Sequence, residues 1–456
     1  MASASGPDQS GRSGSDGDDQ GTSPAERSEG FRALSHAGFR VYFGGMLLRG
    51  TAVWMQMVSL PWLAVELGAS PAQLGLIAGF QFLPTLVISP IGGVVADRVD
   101  RGRVLTLTQL ASVAQAIALA IVASSGGATI PLLAAFALSF GVMTAIELPV
   151  RQAYVAELIP RADLTSAVSL HATAWNTTRF IGPGLSGLII ATAGVEACFL
   201  ASAAAAFAVT VSIFGLEHHR YHRVERTPTT AGIIDSLVEG ARFAAREPQI
   251  RWALLLVTAG GVLGIQVFQT LAPLYVSEAL GLGGGGFGAF IALWGGGAVL
   301  ASYVVTAMAR GDRRPWLVGG MLGMAALLGL LAVLESPPLA FGSVIALGFC
   351  QIALAQNAMV TVQSSTPDAL RGRVMGLYTT LFQGTSPFGA FLAGFLGEVI
   401  GIRGSMASGA LALGSVAVIG AFALRRARRG PDDPTGDDGV RPAPFAGTEQ
   451  TTDHAS

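Results

Sequence analysis

The chain has 456 residues, 51% of them hydrophobic and only 12% charged, with a formal net charge of −1. Soluble domains carry about 25% charged residues, so the composition excludes an ordinary soluble protein and indicates a membrane one, and the near-neutral charge offers no field for nucleic acid. All 28 positive residues are arginine, which rules out a P-loop lysine and a Schiff-base or pyridoxal-phosphate lysine.

Residues 1–30 contain one methionine, no aromatic residue and many Gly, Ser and Asp, too little apolar surface to fold. They are expected to form a disordered tail that stays in the cytoplasm, because no apolar stretch follows a positive start as in a secretory signal. Twelve apolar runs follow, at roughly 42–67, 72–97, 103–124, 129–149, 165–192, 196–216, 251–277, 287–309, 316–334, 338–362, 372–399 and 402–424. Each is near the ~20 residues that a helix needs to cross a ~30 Å hydrocarbon core. The period-2 alternation of a membrane barrel is missing, and abundant Gly and Ala suit close helix packing in lipid. The even-numbered turns carry the arginines, among them Arg101, Arg151, Arg220, Arg313 and Arg371, while the odd-numbered turns hold only Arg403. The positive-inside rule then puts both termini in the cytoplasm.

The longest segment between runs, residues 217–250, divides a first half, 31–216, from a second, 251–429. It is expected to be a cytoplasmic linker in which Ile233 to Phe243 form an amphipathic helix on the inner surface. Residues 430–456, rich in Asp, Pro, Gly and Thr, form a second expected disordered tail. The halves echo each other sparsely but in order. Pro61 and Glu66 recur as Pro273 and Glu278, and Asp100-Arg101 as Asp312-Arg313, all at an offset of 212; Pro160 matches Pro367 at 207 and Pro183 matches Pro387 at 204. A parallel repeat of six helices and six describes a transporter that rocks two bundles about a midplane site. Cys198 and Cys350 sit in apolar runs without a CxxC spacing, so neither a disulfide nor a zinc site is expected. His218, His219 and His222 in the linker read as a solvated face, and the glycine-rich stretch 281–288 as a loop without GK[ST]. No metal or cofactor is expected.

Between the second and third runs stands the charge cluster GGVVADRVDRGRV, with Asp97, Arg98, Asp100, Arg101 and Arg103 in a turn too short for anything but antiparallel neighbours. This cluster resembles the signature loop of the major facilitator superfamily over a chain likeness of about residues 31–430. WMQMVSLPWLAVEL, ELPVRQAYVAELIP and RFIGPGLSG resemble more narrowly the drug and siderophore efflux group that includes enterobactin and macrolide exporters. Asp100 stands where the commonest form of the loop has glycine, a variant also found in that group, and the second-half copy ARGDRRPW is degraded. The resemblance implies that Asp97 caps the start of helix 11, near Gly372, with Arg101 beside it, a latch that closes the cytoplasmic side. An anion suits a helix N-terminus; the competing reading makes these charges orientation signals only. In helix 5, Gly182, Pro183, Gly184 and Gly187 resemble the motif of proton-coupled exporters, and the proline is expected to bend the helix against a neighbour, for function or for packing alone.

Ionisable groups at membrane depth are functional candidates by default. Arg179 lies 14 residues after Thr165, about 20 Å along a helix, with Asn176 on the same face. Arg49 lies near the start of helix 1, where snorkelling to the inner surface is the rival reading. Glu147 is the first candidate for proton coupling, which needs a group whose charge answers to its neighbours, with Glu66 and His171 behind it; a local pair with Arg151 is its alternative. Helix 4 lacks the arginine of many drug–proton antiporters, a gap that Arg179 or Arg49 would have to fill. Superfamily resemblance implies a cavity lined by helices 1, 4, 7 and 10 with help from 5, 8 and 11. Buried amides point to it: Gln56, Gln266, Gln269, Gln351, Gln356 and Asn357 suit a polar lumen, or else interhelical hydrogen bonds. Trp54, Phe80, Phe82, Trp175, Phe268, Trp294 and Tyr378 are candidates for its apolar wall.

The expected protein is therefore an all-α membrane protein of the major facilitator fold: twelve transmembrane helices in two six-helix bundles, monomeric, in the cytoplasmic membrane. It is expected to export an amphipathic small molecule in exchange for protons. An importer or uniporter of the same fold and a non-transporting sensor are the alternatives; no HExxH, GxSxG or paired-carboxylate constellation supports an enzyme.

Overall fold

The computed structural model describes residues 31–98, 100–155, 157–216, 233–308 and 312–428. The expected tails and most of the expected linker, residues 217–232, lie outside them. Among the described residues every long element is a helix and no strand occurs. In chain order these are α1 (Ala37–Glu66), α2 (Pro71–Arg98), α3 (Arg101–Ser124), α4 (Ile130–Val155) and α5 (Leu164–Leu216). Then come α6 (Ile233–Arg246), α7 (Pro248–Ala279), α8 (Gly284–Met308) and α9 (Arg314–Val333), and finally α10 (Pro337–Ser364), α11 (Asp368–Gln383) and α12 (Ser386–Arg428). Nine helical stretches among the described residues are long and apolar enough to cross a membrane. α1 is 30 residues long but is not among the nine, since Arg40, Arg49 and Gln56 lower its hydropathy.

Several boundaries differ from the sequence expectation. The turn expected near residues 193–197 is no loop: α5 continues through it, broken only at Gly194 (φ 87°). A backbone in that region suits a residue without a Cβ. α12 is broken in the same way at Gly401 (φ 78°), 207 positions later, the offset that also relates Pro160 to Pro367. Helix 4 does not stop near Pro149 but runs through it to Val155, so Glu147 and Arg151 sit on one continuous helix. The helix expected to begin near Gly372 begins at Asp368, because Pro367 holds the N-cap position and proline favours a helix start. It pauses at Gly384 and Thr385 before α12. Two stretches of α7, Gly260–Ile265 and Tyr275–Ala279, have π-helical hydrogen bonding.

Small residues set the packing. Along one seam Gly187 of α5 faces Gly285 and Gly288 of α8, with a Cβ on Gly187 only 2.8 Å from the Gly288 Cα. Along a second, a Cβ on Gly75 of α2 would lie 2.7 Å from the Gly394 Cα of α12, and one on Gly397 would meet Pro71 at 2.8 Å. Both seams lie at the end opposite the arginine-bearing turns, and Glu398 accepts a hydrogen bond from the Ala72 backbone N–H (3.1 Å) at the start of α2. Without a hydrophobic drive between helices in lipid, such close backbone approach is what associates them. The amphipathic helix is present as α6, which rests on α11: Arg373 pairs with Glu239, and the backbone at Arg373 abuts Gly240.

Gly297 and Gly348 tie α8 to α10, and a Cβ on either would overlap the carbonyl of Ile345 or Trp294. Gly297→Ala and Gly348→Ala are each expected to cost about 1–3 kcal/mol, read as a lower unfolding midpoint in detergent. Gly319→Ala, whose Cβ meets open space, is expected to stay within about 0.5 kcal/mol of the parent.

Candidate functional site

Three charged side chains meet inside the first half of the chain. Arg49 of α1 is buried and donates from Nε to both carboxylate oxygens of Glu147 on α4, at 3.1 and 3.0 Å, and from Nη2 to Oε2. It therefore does not snorkel. Arg151, one turn beyond Glu147, donates to Glu147 Oε1 at 3.2 Å and stacks its guanidinium 5.1 Å from the Trp175 ring centroid. Gln109 of α3 lines the same cleft as Glu147. The local pair and the longer-range one thus coexist, and the cluster joins α1, α3 and α4 around a small cleft that Tyr42, Val209 and Ser212 also line. Of the other coupling candidates, Glu66 ends α1 and accepts from Trp62 Nε1 at 2.7 Å, a contact within its own helix. His171 is half-buried with its Nε2 unpartnered.

Arg179 lies deeper, at the meeting of the two halves. It is buried (8% exposed). Its Nη2 donates to Gln351 Oε1 of α10 at 2.8 Å, and its guanidinium carbon lies 3.9 Å from the Trp294 ring centroid and 5.8 Å from that of Trp54. Trp54 and Trp294 meet edge to face at 6.4 Å, and Phe268 packs against Trp294 at 5.6 Å. The same two tryptophans form part of the wall of a cavity of about 60 Å³. Trp54, Val58 and Pro61 of α1, Leu74, Gln81 and Phe82 of α2, Gln266, Gln269 and Thr270 of α7, and Phe287 and Ile291 of α8 line the rest.

That lining corrects the expectation in part. Helices α1, α7 and α8 contribute, but α2 stands where α4 and α10 were expected, because the Arg49–Glu147 pair holds α4 elsewhere and Gln351 is turned to Arg179. Gln266 fits a polar lumen best: it is buried and its Oε1 has no partner. Gln356 bonds Ser302 Oγ (3.2 Å) and Asn357 bonds the Ala353 carbonyl (2.8 Å), the packing alternative for both. Gln56 is buried and Asn176 half-buried, both away from the cavity wall. Phe80 packs edge-on against Phe391 of α12, and Tyr378 donates to the Ala355 carbonyl.

The side chains of Asp97 and Arg98 lie outside the described residues. Asp100 has a definite local role: it is the N-cap of α3, accepting from the Arg103 backbone N–H at 3.1 Å. Arg101 is buried and donates to Glu157 at 2.8 Å, and also to the Ala153 carbonyl at 3.4 Å, while Arg103 is exposed. Glu157 was missed from sequence, although a buried arginine at Arg101 calls for a carboxylate within reach. α5 stays helical through Pro183 and is broken at Gly194. Gly182 admits Trp54, a Cβ there lying 2.5 Å from the Trp54 Cβ, and Gly184 and Gly187 face Ala292 and Gly288 of α8.

Residues 28–434 match the family described as transmembrane secretion effectors. A staphyloferrin A transporter of Staphylococcus aureus is 25% identical over 367 residues, 80% of this chain and 90% of that protein. The multidrug efflux pump Tap of Mycolicibacterium fortuitum is 25% identical over 83% of this chain and 94% of its own. Among solved structures, a bacterial homologue of the human lysosomal transporter Spinster, inward-facing and unoccupied, superposes with a TM-score of 0.65 at 14% identity, covering 91% of this chain and all of that one. The nucleoside transporter NupG gives 0.65 at 12% identity over 86% of this chain and 98% of that one. These likenesses speak to the fold.

Removing one member of a buried ion pair strands the other and costs about 3–5 kcal/mol, whereas apolar replacement of both is often neutral. Glu147→Ala, which strands both Arg49 and Arg151, is therefore expected to lower the thermal unfolding midpoint in detergent markedly, and Arg49→Met, Glu147→Met and Arg151→Met combined to recover much of the loss. An unchanged midpoint in Glu147→Ala would show that the cluster bears no structural load.

Proposed function

The chain belongs to the transmembrane secretion effector family of major facilitator transporters, and from that premise we propose that it exports an amphipathic small molecule across the cytoplasmic membrane in exchange for protons. The observation that carries the reading is the pair of glycine seams, α2 on α12 and α5 on α8, which shut one end of the interface while an amide-bearing cavity stands inside it. The relative named as a multidrug efflux pump supports export, and the one named as a staphyloferrin A transporter supports a small-molecule substrate.

In this reading α5 crosses twice, broken at Gly194, α11 and α12 together cross twice, broken at Gly401, and α1 crosses once more. The nine apolar stretches then become twelve crossings, six in residues 31–216 and six in 251–429, in a monomer. Arginine-bearing turns face the cytoplasm, with both termini, so the closed seams are extracellular and the molecule stands ready to load from inside. Glu398 at the start of α2 holds the outer closure. Asp97 at the start of α11 holds the inner one in the alternate state, so the two latches use the same chemistry at opposite ends.

Glu147 is the coupling carboxylate. A proton arriving there cancels its attraction for Arg49 and Arg151 together and frees α1 from α4, a change both local and two-state in character. Arg49 thus supplies, from helix 1, the charge that other drug–proton antiporters carry in helix 4.

Inverted membrane vesicles test the coupling. Addition of a macrolide, a siderophore or ethidium to energised vesicles is expected to dissipate ΔpH with the parent chain and not with Glu147→Gln. A folded parent that moves no protons with any compound sinks antiport. Asp97→Asn is expected to insert normally and transport poorly; normal transport removes the inner latch. Glu398→Ala is expected to raise labelling of an introduced Ile77→Cys by external impermeant maleimide, in a Cys198→Ser, Cys350→Ser background. Unchanged labelling counts against the outer one.

A further inference from the structure

Every other described arginine buried within the helices has a carboxylate: Arg49 and Arg151 share Glu147, and Arg101 has Glu157. Arg179 has none among the described residues. Its guanidinium carries five N–H donors in a planar fork; one bond is present, from Nη2 to Gln351, and the fully buried Nε has no acceptor. An arginine at the centre of a membrane helix is costly unless it is met there. The faces of Trp294 and Trp54 offset part of that cost. The guanidinium lies over the faces of both rings, and its unpartnered Nε leaves donor capacity of the kind that receives a carboxylate through two parallel hydrogen bonds.

The surroundings point the same way. Trp54 and Trp294 touch Arg179 and also wall the cavity. A molecule whose apolar body lies between Val58, Phe287 and Ile291 would reach the guanidinium past the edges of those two rings. Gln266, with an unpartnered Oε1, and Gln269 lie on the same wall and would serve hydroxyl or amide groups.

We propose that Arg179 is the anchor for a carboxylate on the transported molecule, so that the substrate class is amphipathic organic acids. This rests on the exporter reading above and deepens it. The Gln351 amide oxygen holds the guanidinium in plane until the ligand arrives, and ligand binding across this point engages α5 of the first half together with α8 and α10 of the second.

Binding of 1-pyrenebutyrate and of the matched 1-pyrenebutanamide to the purified full chain, read by energy transfer from tryptophan to pyrene, tests it. The acid is expected to bind roughly tenfold or more tightly than the amide. Arg179→Gln is expected to erase that ratio and Arg179→Lys, which keeps the charge but not the fork, to retain part of it. Gln351→Glu covers the case in which Arg179→Gln fails to fold, because it gives Arg179 a carboxylate of its own; it too is expected to erase the ratio. Equal binding of acid and amide, no binding of the acid, or a ratio that survives both Arg179→Gln and Gln351→Glu overturns the proposal. Extrusion of ethidium by cells without any preference for the acid removes this inference and leaves the exporter; acid-selective binding without extrusion of any compound does the reverse.

Discussion

A guanidinium cannot be deprotonated in a protein, so each one carried into the hydrocarbon layer must be met there by something. In this chain the partner is a carboxylate shared between Arg49 and Arg151, a second carboxylate for Arg101, and only aromatic faces and one amide for Arg179. Much of the first half is arranged by these demands. The reach of Arg49 to Glu147 ties α1 to α4, and the reach of Arg101 to Glu157 holds the start of α3 against the chain that follows α4. The cavity opens where those ties leave α2, rather than α4, facing α7 and α8.

Between the halves, close backbone seams stand beside side-chain contacts such as Arg179 with Gln351 and Trp54 with Trp294. Gly75 on Gly394 and Gly187 on Gly288 give close approach with few side chains to unlock. A seam of that kind excludes solvent when shut and loses little specific bonding when it parts, since dispersion between closely packed atoms is individually small and collectively substantial. Charge-on-charge ties lie inside the first half, whereas the seams between halves are made at glycine.

The long apolar runs and the arginine bias were legible because each follows from lipid as a solvent: length, charge and satisfied backbone; the signature loop was legible only by its resemblance to a family motif. The repeat was legible too, and Gly194 and Gly401 strengthen it with an offset the prolines already had. Even the degraded copy keeps one job. Asp312 accepts from the Arg314 N–H at the start of α9 much as Asp100 accepts from Arg103 at the start of α3. What could not be read was rotation about helix axes. Whether Gln351 faced a lumen or Arg179, or whether Arg49 turned to the surface or to Glu147, depends on packing angles that spacing alone leaves open. Pro149 misled for a related reason: in lipid, neighbours and local adjustments re-satisfy the freed carbonyl, so a proline inside a helix does not mark its end.

The π-helical stretches of α7 bear on that rotation. Each closes its hydrogen bonds one residue further along than an α-turn does, so each absorbs one residue in excess of the ordinary winding and turns everything beyond it by about 100°. Gln266, Gln269 and Thr270 follow the first such stretch, and their position on the cavity wall is owed to it. Loss of a single codon between residues 260 and 265 would rewind the helix and carry all three amide and hydroxyl groups off the wall with every side chain intact. The selectivity of this chamber is thus open to change by insertion and deletion as well as by substitution, and chains of this family that differ by one residue in α7 should be compared by facing, not by alignment column.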